Sequence, residues 1–437
     1  MDLDEGAEQR LAEYLDFLVK KMRRAHWSGR SGVIGEYCRG LLLPGDRKSM
    51  EPMAARLNPL HTRAQQHTLQ RLVTDSEWDH HVLVEGATDY ALPALLSLGP
   101  VEGWAVDDVS YVKQGKHSVG VARQYCGALG KTANCQVAVS VSLCNANGSL
   151  PSAFRLYLPQ SWTDNPALRD EVGIPRGARF LRKWEIALLL IDELRKAKRP
   201  QGPILADAGY GDITEFREAL LARKLTYAVG INGTITVWPP GHGPVRPRRK
   251  RKGRPTRTLR PNKAHPAVRV DALAQSLAPD QWEEVEWREG TRGPMRGRFA
   301  LVRVRIAHHT TKRMEPPPEE WLLMQWPEEE GEKMKFWLSN LPANTERAAL
   351  IRWCKLRWRV ERDYEELKGE WGLDHFEGRT WRGFHHHAGL CIVIFAFVLS
   401  ERARVFPPNP GGNVRSEEPS LPGRRSGSTA TASHSTA

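Results

Sequence analysis

The sequence predicts an α/β fold, with a mixed β-sheet flanked by helices, an N-terminal helical region and a β-rich insertion. Three observations support this fold class. Apolar residues recur at helical spacing before residue 95; short β-rich segments then follow from about residue 101 and give way to alternating helices and strands; and residues 233–335 interrupt that alternation. With 437 residues the chain is too long for one compact core, so two or three domains are expected.

Residues 1–95 are predicted to form a helical DNA-binding domain. The stretch LAEYLDFLVKKM carries its apolar residues close to a helical stripe. A basic cluster follows, made of Lys20, Lys21, Arg23, Arg24 and Arg30. This cluster is equally compatible with a solvated helix face and with a DNA contact. The opening MDLDEGAEQR is acidic and polar, which is not typical of a signal peptide.

Residues 96–232 and 336–405 are predicted to form the main domain. VEGWAVDDVSYV, KHSVGVARQYCG, NCQVAVSVSLC and LPSAFRLYLP indicate consecutive strands, and their short links favour an antiparallel meander. FLRKWEIALLLIDELRKAKR then predicts an amphipathic helix, PILAD a buried strand, GDITEFREALLARK a helix and LTYAVGI another strand. DITE fits a capping box with Asp212 as N-cap. A long helical region is expected from about residue 344 to 405.

Residues 233–335 are predicted to form a β-rich insertion that contains a basic segment. Gly243 to Lys263 holds ten Lys or Arg residues and no acid, and Arg248, Arg249, Lys250, Arg251 and Lys252 are its densest part. Such a run often binds nucleic acid, although a loop that is basic by chance is the alternative. Segments of period 2 follow, and residues 406–437 form a tail rich in Pro, Gly, Ser and Thr for which disorder is expected.

The overall composition points to a polyanionic partner outside a membrane. The chain has 64 Lys and Arg against 51 Asp and Glu, a formal net charge of +13. Its six cysteines contain no C-x-x-C pair, so neither a zinc ribbon nor a disulfide framework is expected. The longest apolar run, residues 388–399, is too short to span a bilayer. A cytoplasmic, nucleoid-associated protein is expected.

Carboxylates at strand ends provide a candidate metal site. Asp107 and Asp108 are predicted to close the first strand, and Asp207 closes PILAD. Enzymes that transfer phosphoryl groups on nucleic acid commonly hold two divalent metals with carboxylates from several elements. Neighbouring residues of a strand point to opposite faces, so only one of Asp107 and Asp108 can aim at a metal. The residues alone do not separate them, and a lone Asp there is often a turn former.

The stretch RWRVERDYEELK supplies the third carboxylate. Arg357, Glu361, Tyr364 and Lys368 lie at i, i+4, i+7 and i+11 and share one helix face. Glu361 would hold metal, while the cations one and two turns away would hold phosphates. The alternative is an ordinary i,i+4 ion-pair face, in which Asp363, Glu365 and Glu366 are also ordinary charges and Arg362 pairs with Glu366.

These motifs, in this order, resemble the DDE transposases of bacterial insertion sequences. The resemblance is to the branch with the signature Y-x₂-R-x₃-E-x₆-K, of which Arg357, Glu361 and Lys368 match three letters and Cys354 replaces the Tyr. The segments DDVSYVKQGKHSVGVARQYCG and WGLDHFEGRTWRG strengthen this resemblance. The resemblance covers roughly residues 10–405.

The resemblance implies an RNase H-like catalytic domain and a full set of roles. Asp108, Asp207 and Glu361 would hold two Mg²⁺ ions, or Mn²⁺ instead, with Asp107 as the alternative to Asp108; Asp108 is preferred because the family's Asp tends to precede small hydroxyl residues. Arg357, Lys368 and Tyr364 would contact DNA together with Arg248, Arg249, Lys250, Arg251 and Lys252. Trp282 or Trp287 would stack on an unpaired base, unless they are core residues.

The implied activity is DNA transposition. The enzyme would cleave the ends of its element and join the 3′-OH ends to target DNA, acting on double-stranded DNA as a homodimer. A decayed or domesticated transposase that only binds DNA is the first alternative. An RNase H-like nuclease without strand transfer is the second.

Overall fold

A computed structural model describes residues 5–25, 29, 31–247, 258–290, 293–308, 313–329 and 331–407. The strands of this part of the chain join in one sheet. They are β1 (Gly103–Val112), β2 (Ala122–Cys126), β3 (Lys131–Cys144), β4 (Ser149–Leu156), β5 (Ile204–Ala206), β6 (Tyr227–Ile231), β7 (Thr236–Trp238), β8 (Val268–Arg269), β9 (Glu283–Gly290), β10 (Gly293–Ile306), β11 (Glu319–Gln325) and β12 (Lys335–Ser339).

The centre of the sheet has the order β4-β3-β1-β5-β6. β1 pairs antiparallel with β3, which pairs antiparallel with β4, whereas β1, β5 and β6 are parallel neighbours. The antiparallel strands follow one another through short links, and helices connect the parallel ones, as the length of a parallel crossover requires. The predicted RNase H-like mixed sheet flanked by helices is confirmed.

The β-rich insertion continues this sheet. β12 pairs antiparallel with β6 and β11, and β10, β7 and β8 follow outward, while β9 pairs with β10. Strands predicted from WEEVEWREG, RFALVRVRIAHH and EWLLMQWP are therefore present. They share a sheet with the main domain, because β12 lies between the last parallel strand and the insertion.

Helices cover both faces of the sheet. They are α1 (Glu5–Arg24), α2 (Ser31–Leu42), α3 (Met50–Leu57), α4 (Thr62–Thr74), α5 (His80–Ser97), α6 (Gln160–Thr163), α7 (Pro166–Val172), α8 (Lys183–Lys196), α9 (Ala208–Gly211), α10 (Thr214–Ala222), α11 (Val270–Ser276), α12 (Arg347–Leu356), α13 (Trp358–Gly369) and α14 (Trp381–Val405).

Helix α14 is the centre of the helical layer. It is apolar almost all round, as expected for a helix buried on every side, and it packs against α2, α4, α5 and β4. Its N-cap, Thr380, accepts a hydrogen bond from the backbone N–H of Gly383 (3.1 Å). The Tyr14 hydroxyl of α1 donates to the carbonyl oxygen of Val393 (3.0 Å). The N-terminal helices therefore share a continuous core with the sheet.

Three sequence predictions of local structure were wrong. The helical region 344–405 is interrupted by the non-helical residues 370–380. Asp107 and Asp108 lie in the middle of β1, because the pairing with β3 extends to Val112. Asp212 is not the N-cap of α10: that position is Ile213, and both oxygens of the Asp212 carboxylate accept hydrogen bonds from Asn232.

Two further findings concern the whole described part of the chain. All six cysteines are buried and free of disulfide bonds. Among the residues placed in the structure, no helix has the length and apolar character needed to cross a membrane.

Candidate active site

Asp107 on β1 and Asp207, the residue that directly follows β5, lie at the same level of two neighbouring parallel segments. The β1–β5 pairing matches Ala105 with Leu205, and each aspartate follows its paired residue by two positions. Residues two apart on a strand point to the same face, and neighbouring strands are about 4.8 Å apart. The register therefore places the two aspartates next to each other at the centre of the sheet, close enough for the charge of Asp207 to act on the Asp107 carboxyl group.

The Asp107 carboxylate is largely buried and faces α13. Its Oδ2 lies 3.3 Å from Nη1 of Arg357, and its Oδ1 accepts a hydrogen bond from the backbone N–H of Asp108 (2.9 Å). Burial raises the pKa of Asp107 to about 7; the charge of Arg357 opposes this rise, and the charge of Asp207 adds to it. The site thus concentrates negative charge in a poorly solvated place.

Asp207 is held by the short helix α9. Its carboxylate is the N-cap, and its Oδ1 accepts a hydrogen bond from the backbone N–H of Tyr210 (3.3 Å). Burial raises the pKa of Asp207, Arg357 lowers it and Asp108 raises it further. The turn requires Gly211, because a Cβ there would lie 1.9 Å from the carbonyl oxygen of Gly230 on β6.

Arg357 connects Asp107 to Glu361. It is the single residue between α12 and α13, the C-cap of the first helix and the N-cap of the second. The guanidinium forms ion pairs with both Asp107 and Glu361. The Glu361 carboxylate is 59% exposed, and so it reaches the same guanidinium from the solvent side. The predicted Arg357–Glu361 ion pair is present, and it lies over the sheet carboxylates.

Asp108 points to the opposite face of β1. Its Oδ2 accepts from Nζ of Lys183 on α8 (2.7 Å), and its Oδ1 accepts from the Tyr210 hydroxyl (2.5 Å). The structure thus brings Asp107, rather than Asp108, together with Arg357 and Glu361. Sequence reasoning missed Lys183 and Tyr210; the one available signal was the position of Tyr210 in the GYG that follows Asp207.

Two of the residues predicted to contact DNA face the protein interior. Tyr364 is 7% exposed and packs in the core near Ser140. Lys368 is partly buried, and its Nζ donates to the carbonyl oxygen of Ser110 on β1 (2.9 Å). Burial lowers the pKa of Lys368. In this conformation Tyr364 supports the sheet side of α13, and Lys368 holds α13 against β1.

The remaining charges of α13 differ from the expected solvated set. Asp363 is buried, its Oδ1 accepts from the Ser149 hydroxyl (2.6 Å), and burial raises its pKa to about 7. Its description as an ordinary helix charge was therefore wrong. Glu366 forms an ion pair with Arg402 of α14 (2.9 Å).

The insertion contributes aromatic and basic side chains next to α13. The Arg288 guanidinium stacks 3.7 Å from the Trp358 ring centroid. Trp282 is buried against Trp326, and Trp287 packs edge-on against Phe299, which favours core roles for both predicted base-stacking residues. The predicted DNA-contacting residues Arg248, Arg249, Lys250, Arg251 and Lys252 lie outside the described residues.

The carboxylate trio suits a hard cation by its chemistry. Mg²⁺ prefers carboxylate oxygens and needs only a few from the protein. Asp107, Asp207 and Glu361 do not bring their oxygens within 4.8 Å of one another; in the described residues that criterion selects Asp79, His80 and His81. That group begins α5, where the positive end of the helix dipole disfavours a cation. Glu361 is the exposed member of the trio, and its carboxylate is ion-paired with Arg357.

The fold and this site together define the class of the protein. A large mixed sheet of this strand order, flanked by helices, is consistent with an RNase H-like α/β fold. The profile of the family described as DDE superfamily endonuclease matches residues 18–294, more than half of the chain, and the chain belongs to this family. The match includes Asp107 and Asp207 and ends before α13.

A curated relative gives a similar result over a shorter segment. The chain is 29% identical over 180 residues to the "Probable transposase for insertion sequence element IS701" of Microchaete diplosiphon. This segment covers 40% of the present chain and 44% of the relative. The chain thus spans less than half the length of the relative that it matches.

The raised pKa of Asp107 predicts that its removal stabilises the metal-free protein. The folded-state pKa is near 7, against an ordinary value of 3.8, so the protonated carboxyl group favours the folded state. This contribution to the free energy of unfolding is fully present below about pH 4 and is lost as the pH rises through 7. The ionised group then costs up to about 4 kcal/mol, since each pKa unit corresponds to about 1.4 kcal/mol. We expect Asp107→Asn to be about 1–3 kcal/mol more stable than wild type at pH 8.

This prediction is measured by urea unfolding in EDTA at pH 5 and pH 8. The difference between the two proteins should shrink at pH 5, where wild-type Asp107 is mostly protonated. An Asp107→Asn protein that is less stable at pH 8, or a difference that does not depend on pH, would contradict the environment described for this carboxyl group.

Proposed function

We propose that the protein is a DNA transposase that cleaves the ends of its insertion sequence and joins the 3′-OH ends to target DNA. Asp107, Asp207 and Glu361 are its proposed metal ligands, with Asp107 in place of the Asp108 preferred from the sequence. One observation carries this proposal. Asp107 on β1 lies level with Asp207 at the end of β5, and Arg357 links Asp107 to Glu361.

Bound divalent metal would supply the positive charge that phosphoryl transfer requires. Divalent ions, proposed to be two Mg²⁺ with Mn²⁺ as a substitute, activate the attacking oxygen and stabilise the leaving oxygen. Asp107 and Asp207 are positioned by the sheet and by α9, so they offer fixed oxygens at its centre. Glu361 on α13, which is ion-paired with Arg357, would be the third residue to hold the metal.

The cations of α13 are proposed to position the phosphates. A released Arg357 guanidinium lies beside Asp107 and presents two parallel donors, a geometry that matches phosphate oxygens. Lys368 keeps α13 docked on β1 through Ser110, so it places Glu361 and Arg357 together. Hydrolysis and joining are then the same in-line displacement with different attacking oxygens, and no covalent protein intermediate is required.

Charge and family support a DNA substrate. The net charge of +13 and the basic run from Gly243 to Lys263 favour a polyanion, with an affinity that falls as salt rises. The relative is named a probable transposase, and its aligned segment matches less than half of its length. Double-stranded DNA and a homodimer that pairs two element ends are therefore proposals for this chain.

The proposal is tested with the purified full-length chain and labelled duplexes from the DNA that flanks its reading frame. In Mg²⁺ we expect a cut at the element end, and joining of the freed 3′ end to an added plasmid. A duplex that is bound and never cut would replace the proposal with the DNA-binding alternative. Cutting without joining would replace it with a simple nuclease.

A further inference from the structure

The Asp108 carboxylate is held by two donors from different helices. The Tyr210 hydroxyl donates to Oδ1 (2.5 Å), and Nζ of Lys183 donates to Oδ2 (2.7 Å). Tyr210 is 3% exposed, so its hydroxyl has little access to water as an alternative partner. Buried hydroxyls require a protein partner, and a hydrogen bond to a charged acceptor is stronger than a neutral one.

Tyr210 also touches the other aspartate. Its backbone N–H donates to Oδ1 of Asp207 (3.3 Å), so the residue contacts Asp108 with its side chain and Asp207 with its main chain. On the β1 side, the backbone N–H of Asp108 donates to Oδ1 of Asp107 (2.9 Å). An unbroken set of hydrogen bonds therefore runs from Asp107 through Asp108 and Tyr210 to Asp207.

The backbone alone does not fix this spacing. The pairing of β1 with β5 includes Trp104 with Ile204 and Ala105 with Leu205, and it stops two residues before the aspartates. Carboxylates at that point repel each other, which tends to separate β1 from the residues that follow β5. Lys183 offsets the added charge of Asp108, so the link between the strands does not increase this repulsion.

We propose that Asp108 and Tyr210 form a clasp that sets the distance between Asp107 and Asp207. The clasp residues are positioning residues: they touch no metal or DNA, and they act through the two aspartates. The inference rests on the proposed function in that these aspartates bind divalent metal. Hydrogen-bonding partners of metal ligands typically change metal affinity by about 10–100-fold when they are lost.

The test measures metal binding and cleavage separately in the full-length protein. Mn²⁺ binding is followed by titration calorimetry, with Asp107→Asn defining the signal of this site, and cleavage is followed as a function of Mg²⁺. We expect Tyr210→Phe to bind Mn²⁺ about 10-fold more weakly and to regain most of its cleavage rate at high Mg²⁺. Asp108→Asn should shift affinity in the same direction without abolishing it.

Tyr37→Phe is the matched control, because it also removes one buried hydroxyl hydrogen bond, to Nδ1 of His387 (2.7 Å). It should lower thermal stability and leave Mn²⁺ affinity unchanged. The clasp is overturned if Tyr210→Phe binds Mn²⁺ within about twofold of wild type, if wild type binds none, or if Asp108→Asn loses binding as Asp107→Asn does. Mn²⁺ binding by a wild-type protein that cuts no DNA overturns the proposed function alone.

Discussion

The Asp107→Asn protein should cut DNA at least about 10³-fold more slowly than wild type while binding the same duplex with similar affinity. A carboxylate ligand contributes several kcal/mol to the stabilisation of charge in phosphoryl transfer, and about 4 kcal/mol corresponds to 10³ in rate. Asn keeps the size of the side chain and loses the negative charge. Because Asp107 faces α13 in a largely buried place, the substitution removes the proposed metal ligand without exposing the core.

The rate is measured at several Mg²⁺ concentrations with one labelled duplex, and affinity by gel shift in EDTA. Asp170→Asn is the matched control, since it makes the same change at an exposed position of α7. The cleavage rate of Asp108→Asn should lie between the rates of Asp107→Asn and Asp170→Asn, and it should recover at high Mg²⁺. If Asp107→Asn cuts normally and Asp108→Asn does not, the sequence-based choice of Asp108 is restored and the geometric one fails.

The choice between the adjacent aspartates shows where the sequence stops being informative. Strand alternation predicts that Asp107 and Asp108 face opposite ways, and the structure confirms it. Which face carries the site depends on the register of β1 against β5 and on the side where α13 packs. Both are long-range facts, because the paired segments are about 100 residues apart in sequence and α13 is a further 150 away.

The same limit applies to α13 itself. Spacing places Arg357, Glu361, Tyr364 and Lys368 on one face, but that face is graded from solvent at Glu361 to core at Tyr364. Asp363 looks like a surface charge in sequence, and it is buried because β4 supplies Ser149 as its partner. Periodicity therefore located the helix and its ion pair, while the neighbours of each side chain required the packed sheet.

In the β-rich insertion, the strands were predictable from the sequence and their place in the sheet was not. Its strands were predictable from period 2, since alternation is a local property. Their position as an extension of the central sheet was not, because β12 pairs with both β6 and β11 across the whole insertion. This arrangement places Arg288 of β9 on Trp358, next to the arginine that links the carboxylates.

Glu361→Gln should also lower the cleavage rate by about 10³-fold or more, with DNA binding unchanged or slightly tighter. The reason differs from that for Asp107. Glu361 is exposed and neutralises Arg357 in this conformation, so its removal leaves the guanidinium paired with Asp107 alone and more available to a phosphate. A lower cleavage rate should therefore accompany unchanged or tighter DNA binding, whereas a general unfolding of α13 would lower cleavage and DNA binding together.

Glu365→Gln is the matched control for Glu361→Gln, because it makes the same change one turn further along α13 at an exposed position. Cleavage and gel-shift assays on the pair separate a ligand from a helix charge. Equal rates for the two variants would reduce the Arg357–Glu361 contact to an ordinary i,i+4 ion pair, which is worth only a few tenths of a kcal/mol. Since the family match ends before α13, this comparison is the direct test of the third carboxylate.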